Sequence, residues 1–150
     1  MPRRIHRPSD ATPLLVCLKM AARQYGLIER SQAIAAGMSA RMIDSRLAKG
    51  EWIIFLPGVY AVSSSSQCWL RSQLGAVLWA GPGSAASGRA GGVLWGFDGL
   101  DEDVVEISTV NRVRCPDVVV HHVGDLGPLS RRKAIPVTDQ YRTLLDLAGS

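Results

Sequence analysis

Arg41, Ser45 and Lys49 recur every four residues between Ser39 and Lys49, and a helix there would line them along one face. Arginine can bond a guanine edge through two hydrogen bonds, and serine reaches bases or phosphates, so the chemistry on offer is the reading of a DNA groove. With Ala40, Ile43 and Leu47 turned inward, Arg41, Ser45 and Lys49 turn outward, Met42 and Arg46 sit on one shoulder, and Ser39 caps the start. A lone amphipathic helix of this kind is more readily a solvated face, and the capped helix before it and the hairpin after it reverse that preference. Arg3, Arg4, His6 and Arg7 form a second basic group, placed to follow phosphates or enter a minor groove, with a solubilising tail as the alternative. Arg131-Arg132-Lys133 reads as a solvated loop.

Other chemistries fare worse. Gly83 to Ala90 has the glycine spacing of a phosphate-binding loop, but Arg89 and Ala90 stand where a lysine and a metal-binding hydroxyl are needed. The stretch reads instead as a tight helix start at which backbones approach closely. Asp101, Asp103 and Glu106 could gather around a hard cation, yet no downstream lysine or histidine completes a nuclease pattern. His121 and His122 would point to opposite faces of a strand, so a shared metal is disfavoured and structural roles are expected. Cys17, Cys68 and Cys115 lie far apart, with no base beside them and no zinc spacing. The four tryptophans sit in apolar runs that read as core rather than as a base-stacking surface. No catalytic residue, metal or cofactor is expected, and the chain reads as a non-enzyme.

The elements that must position the basic face are legible around it. Leu14, Leu18, Ala21, Ala22 and Tyr25 share one side of a helix that Gly26 stops, and Leu27-Ile28 adds a short extended stretch. Ser31 is placed to cap a brief helix through Ala33, Ile34 and Ala36, ending at Gly37. Two short capped helices across a glycine turn predict a helix-turn-helix. Trp52 to Leu56 and Val59 to Val62, joined by Pro57-Gly58, predict a hairpin that would serve as a wing. Beyond the serines at 63–66, a helical period from Trp69 to Leu78, a glycine-rich helix through Val93, Leu94 and Trp95, strands near Val104–Val110 and Val118–His122, and a last helix from a Thr138 cap to Ala148 give mixed character. The expected fold class is α+β: a basic arm over 1–13, a winged helix-turn-helix over 14–62 and a small mixed α/β extension over 63–150. Leu144, Leu145 and Leu147 need burial, and the expectation is that the extension is truncated at its C-terminus.

An apolar share of 47% supports a buried core, and a net charge of +4 suits a polyanionic partner only if it is concentrated somewhere. The odd cysteine count favours a reducing cytoplasm over a secreted disulfide framework. The basic start runs into Pro-Ser-Asp-Ala-Thr-Pro rather than an apolar stretch, which disfavours a secretory signal, and neither a transmembrane run nor a membrane partner is expected.

Several stretches taken in order carry a resemblance: Gly26-Leu27-Ile28, Arg46-Leu47-Ala48-Lys49-Gly50-Glu51-Trp52, Pro57-Gly58-Val59-Tyr60, Leu94-Trp95-Gly96 and Arg142-Thr143-Leu144-Leu145-Asp146-Leu147-Ala148. From Leu14 to Ala148 the chain resembles the AbiEi antitoxin family of type IV toxin-antitoxin systems. The resemblance implies a winged helix that binds inverted repeats at its own promoter, a following domain that supports repression, and a nucleotidyltransferase-like toxin as partner. Many relatives with this arrangement instead carry a restriction-endonuclease-like domain after the last helix, a domain not expected within these 150 residues. Where relatives are arginine-rich, this chain has Asp44-Ser45 and Ile53-Ile54-Phe55, so fewer phosphate contacts and a weaker salt dependence are expected. The apolar hairpin residues, with Phe55 as their test, are candidates for a dimer or partner interface.

Two readings follow. In the first, the protein is a sequence-specific regulator that binds double-stranded DNA as a homodimer, through Ser39, Arg41, Met42, Ser45, Arg46 and Lys49 and an arm bearing Arg3, Arg4 and Arg7. In the alternative, it is a protein-interaction module that neutralises a toxin without touching DNA.

Overall fold

The computed structural model describes residues 12–62 and 67–150, and among them six helices and eight strands form a mixed α+β structure with two sheets. The arm residues Arg3, Arg4, His6 and Arg7 lie outside the described residues.

The first elements are α1 (Pro13–Ala22), β1 (Leu27–Glu29), α2 (Arg30–Ala35), α3 (Ala40–Ala48), β2 (Ile53–Leu56) and β3 (Val59–Ala61). The strands pair antiparallel in the order β1-β3-β2, with Leu27 opposite Ala61 and Ile28 opposite Tyr60. Alternation along a strand sends neighbours to opposite faces, and here both faces are buried. Ile28 and Tyr60 join Cys17 of α1 and Ile43 of α3 in one apolar cluster, whereas Leu27, Val59 and Ala61 pack against Leu78 and Trp79.

 Ala33 of α2 belongs to the first of these clusters.

The hairpin's course explains Phe55. Ile53 faces Ala61 and Ile54 faces Tyr60, but the next pair is Leu56 with Val59, so Phe55 is the extra residue of a bulge. The bulge turns its ring onto α4 (Trp69–Ala80), where Gly75 leaves room: a β-carbon there would lie 2.5 Å from the ring. The Arg71 guanidinium stands 5.5 Å from the ring centroid. Phe55 is therefore held within the chain, which corrects its assignment to an outer interface. Ile53 and Ile54, on the edge strand, are the exposed members at 65% and 62%.

The remaining elements are β4 (Ser84–Ala86), α5 (Gly88–Trp95), β5 (Glu106–Thr109), β6 (Val119–His122), β7 (Leu129–Arg132), β8 (Ile135–Thr138) and α6 (Gln140–Ala148). They build a five-stranded sheet in the order β6-β5-β4-β8-β7, parallel at β5–β6 and β4–β8 and antiparallel elsewhere. Helices α4 and α5 pack on this sheet, and α6 packs on α5. Gln73 of α4 fixes the start of β5 by donating to the Glu106 carbonyl (2.9 Å) and accepting from the Glu106 amide (3.1 Å). The Tyr25 hydroxyl donates to the Lys133 carbonyl at 2.6 Å, tying the turn before β1 to the turn between β7 and β8.

Several sequence expectations are corrected. The stretch over 83–90 contains a strand before its helix, because Ser84, Ala85 and Ala86 are small enough to be buried between β5 and β8. Arg131 and Arg132 belong to strand β7, not to a loop, and Lys133-Ala134 forms its turn to β8. Helix α2 starts from Glu29 rather than Ser31, since Glu29 and Gln32 form a reciprocal capping box. Asp139 caps α6, accepting from the Arg142 amide at 2.7 Å, while Thr138 is buried in β8 with its hydroxyl against that of Thr143. Ala40 is exposed rather than turned to the core.

Candidate nucleic-acid interface

Helix α3 is set by its ends and by one side chain. The Ser39 hydroxyl accepts the Met42 amide at 3.1 Å, satisfying a donor that the first turn leaves open, and Lys49 closes the helix. Ile43 is 0% exposed, and burying such a side chain stabilises by roughly 1.5–3 kcal/mol, which fixes the rotation of the helix on α1, α2 and the hairpin. Leu47 is half-buried against the same cluster.

That rotation leaves Arg41, Met42, Ser45 and Lys49 exposed. Arg41 and the Ser45 side chain have no hydrogen-bond or ion-pair partner among the described residues. Arg46 differs, being half-buried and paired with Glu51 just past the helix. The hydrogen bond from Arg46 holds the Glu51 carboxyl below the usual range, and Lys49 adds a weaker pull in the same direction. Ser39 is exposed, but its hydroxyl is engaged in the cap. Met42, at 39% exposed, offers the face an apolar contact.

One arrangement beside this face was not legible. Arg30, the first residue of α2, donates to the Tyr60 hydroxyl at 3.1 Å and reaches Asp44 at 3.4 Å, joining α2, α3 and β3. The bond to Tyr60, more than the Asp44 carboxylate, raises the Arg30 guanidinium above its ordinary value. The acidic residue that lowers the local positive charge in the sequence is thus partly neutralised by a neighbour fourteen positions away.

The other sequence candidates are dispersed. Asp103 lies 3.9 Å from Arg89, while Glu106 accepts the Arg89 amide and meets His121, and no group of three or more His, Cys, Asp or Glu among the described residues is placed to hold a metal ion. His121 and His122 do diverge, His121 to Glu106 and His122 to the Val113 carbonyl at 3.1 Å. Trp52 is buried, while Trp69 and Trp95 are half-buried and donate their indole N–H to the carbonyls of Val104 and Thr138. Cys17 is buried, Cys68 exposed and Cys115 intermediate, all as free thiols. Among the described residues no helix is long and apolar enough to cross a membrane. The chain matches no family model and no curated protein.

Proposed function

We propose that residues 14–62 form a winged helix-turn-helix and that the protein is a sequence-specific regulator of transcription that binds double-stranded DNA, with α3 in the major groove and the β2–β3 hairpin as the wing. The observation that carries this reading is the surface of α3: Ile43 sealed below, and Arg41 and Ser45 outward without partners among the described residues. A short capped helix, a turn and a second capped helix followed at once by a hairpin supports it. Residues 63–150 are then a mixed α/β extension. On a duplex the protein acts as a homodimer, because two recognition helices about 34–36 Å apart fit the half-sites of an inverted repeat.

The resemblance to AbiEi antitoxins extends the proposal to an autorepressing role in the cytoplasm, alongside a nucleotidyltransferase-like toxin, with binding rather than catalysis as the activity. Exposed Ile53 and Ile54 on the hairpin's edge strand favour a second reading, a surface that captures the toxin without DNA.

Replacing Arg41, which is exposed and unpaired among the described residues, separates the two readings without disturbing the core. Arg41→Ala is expected to cost about 1–3 kcal/mol on the native duplex and little on a scrambled one, whereas loss of the arm arginines weakens both alike. Equal losses on both duplexes from Arg41→Ala would contradict groove reading.

A further inference from the structure

The parallel register of β5 and β6 sets Ser108 beside His121 and Glu106 beside Val119, so Glu106, Ser108 and His121 share one face of the five-stranded sheet. A cleft of about 390 Å³ opens over them, between the start of α5 and the end of α6, within the size range of small-molecule sites.

Its two acidic side chains, Glu106 and Asp146, are already engaged. Glu106, with its side chain only 12% exposed, accepts the Arg89 amide on Oε2 at 2.7 Å and meets Nε2 of His121 through Oε1 at 2.9 Å. Asp146 accepts from Nε of Arg142 at 3.3 Å. The donors retain capacity: among the described residues Arg142 keeps both Nη groups, and Arg89 has only the long ion pair with Asp103. A carboxylate at Nε2 favours the tautomer with its proton there, which leaves Nδ1 of neutral His121 as an acceptor.

An oxyanion that still carries a proton would answer all three groups, its oxygens accepting from the guanidinium groups and its O–H donating to Nδ1. A phosphate monoester, with a second pKa of about 6, carries such a proton part of the time near neutral pH. Sulfate does not. Val123 and Leu147 add an apolar side for an organic portion. We propose that this cleft binds a small phosphate monoester, its phosphate held by Arg89, Arg142 and His121. The proposal is independent of the DNA reading.

The test is titration of the full chain with phenyl phosphate, inorganic phosphate and sulfate at constant ionic strength, reading the His121 ring nitrogens by NMR. A saturable His121 shift is expected, tightest for phenyl phosphate and at least about tenfold weaker for sulfate than for inorganic phosphate, a difference of about 1.4 kcal/mol. Arg142→Gln should weaken binding about tenfold or more. Because that change also removes the pair with Asp146, Arg89→Gln, at a half-exposed side chain, serves as the second variant and should weaken binding in the same direction. Absence of a saturable shift, equal binding of sulfate and inorganic phosphate, or unchanged affinity in both variants would overturn the proposal. Inorganic phosphate binding as tightly as phenyl phosphate would overturn its organic half.

Discussion

Gly88→Ala tests how the second sheet is held together. Gly88 opens α5 with φ +57°, and an added β-carbon would lie 2.4 to 2.6 Å from the three carboxyl atoms of Glu106. The left-handed backbone alone costs an L-residue roughly 1–2 kcal/mol. The carboxylate must then move away from the Arg89 amide, and a hydrogen bond to a charged group is worth about 1.5–3 kcal/mol. The bond to half-exposed His121 adds less because water competes for it. Together these give an expected loss of about 3–5 kcal/mol, a large part of the stability of a chain this size. Urea unfolding followed by tryptophan fluorescence reads it as a midpoint lowered by roughly 1–3 M with an unchanged slope. Gly58→Ala is the control: its φ is +77° but nothing lies within 4 Å of the added carbon, so only the backbone cost applies. If Gly88→Ala loses no more stability than Gly58→Ala, the Glu106 cradle does not hold the helix start.

Ile43→Ala, at a fully buried site, should lower stability by about 2–5 kcal/mol in the same assay and weaken duplex binding only through loss of folded protein. Glu51→Gln removes the carboxylate that engages Arg46; duplex affinity should rise and the salt slope steepen by up to about one phosphate contact, as anisotropy across a salt series would report. Burial raises the Cys17 thiol above its ordinary value near 9.0, so the unfolded chain ionises first and this contribution to stability is present below about pH 9 and lost as pH rises toward the higher folded value. Thiol alkylation under native conditions should accordingly label exposed Cys68 well before buried Cys17.

The elements that carry the basic face were legible because each announces itself locally. Ser39 does cap its helix, Ile43 does turn inward, and Pro57-Gly58 does join two strands. What escaped depends on partners distant in sequence. Ser84-Ala85-Ala86 lacks the bulky branched residues that mark a strand, and it extends because the neighbouring strands bury it on both edges. The β7–β8 hairpin turns through Lys133 and Ala134 at φ +50° and +66°, where glycine or asparagine would have given the signal. Phe55 finds Gly75 only once α4 lies across the small sheet. Proximity in sequence suggested grouping Glu106 with Asp101 and Asp103, whereas strand register brings it to His121, fifteen positions on. The candidate recognition residues were legible as a periodic face, but the pairing of Arg46 with Glu51 and of Asp44 with Arg30 was not.

The most direct test of the central claim is fluorescence anisotropy of the purified full chain with a labelled duplex from its own upstream region and a scrambled duplex of equal composition, across a salt series. Tighter binding to the native duplex that persists at physiological salt is expected, since base contacts survive screening better than phosphate contacts alone. Equal, salt-labile binding to both duplexes, or none, would contradict it.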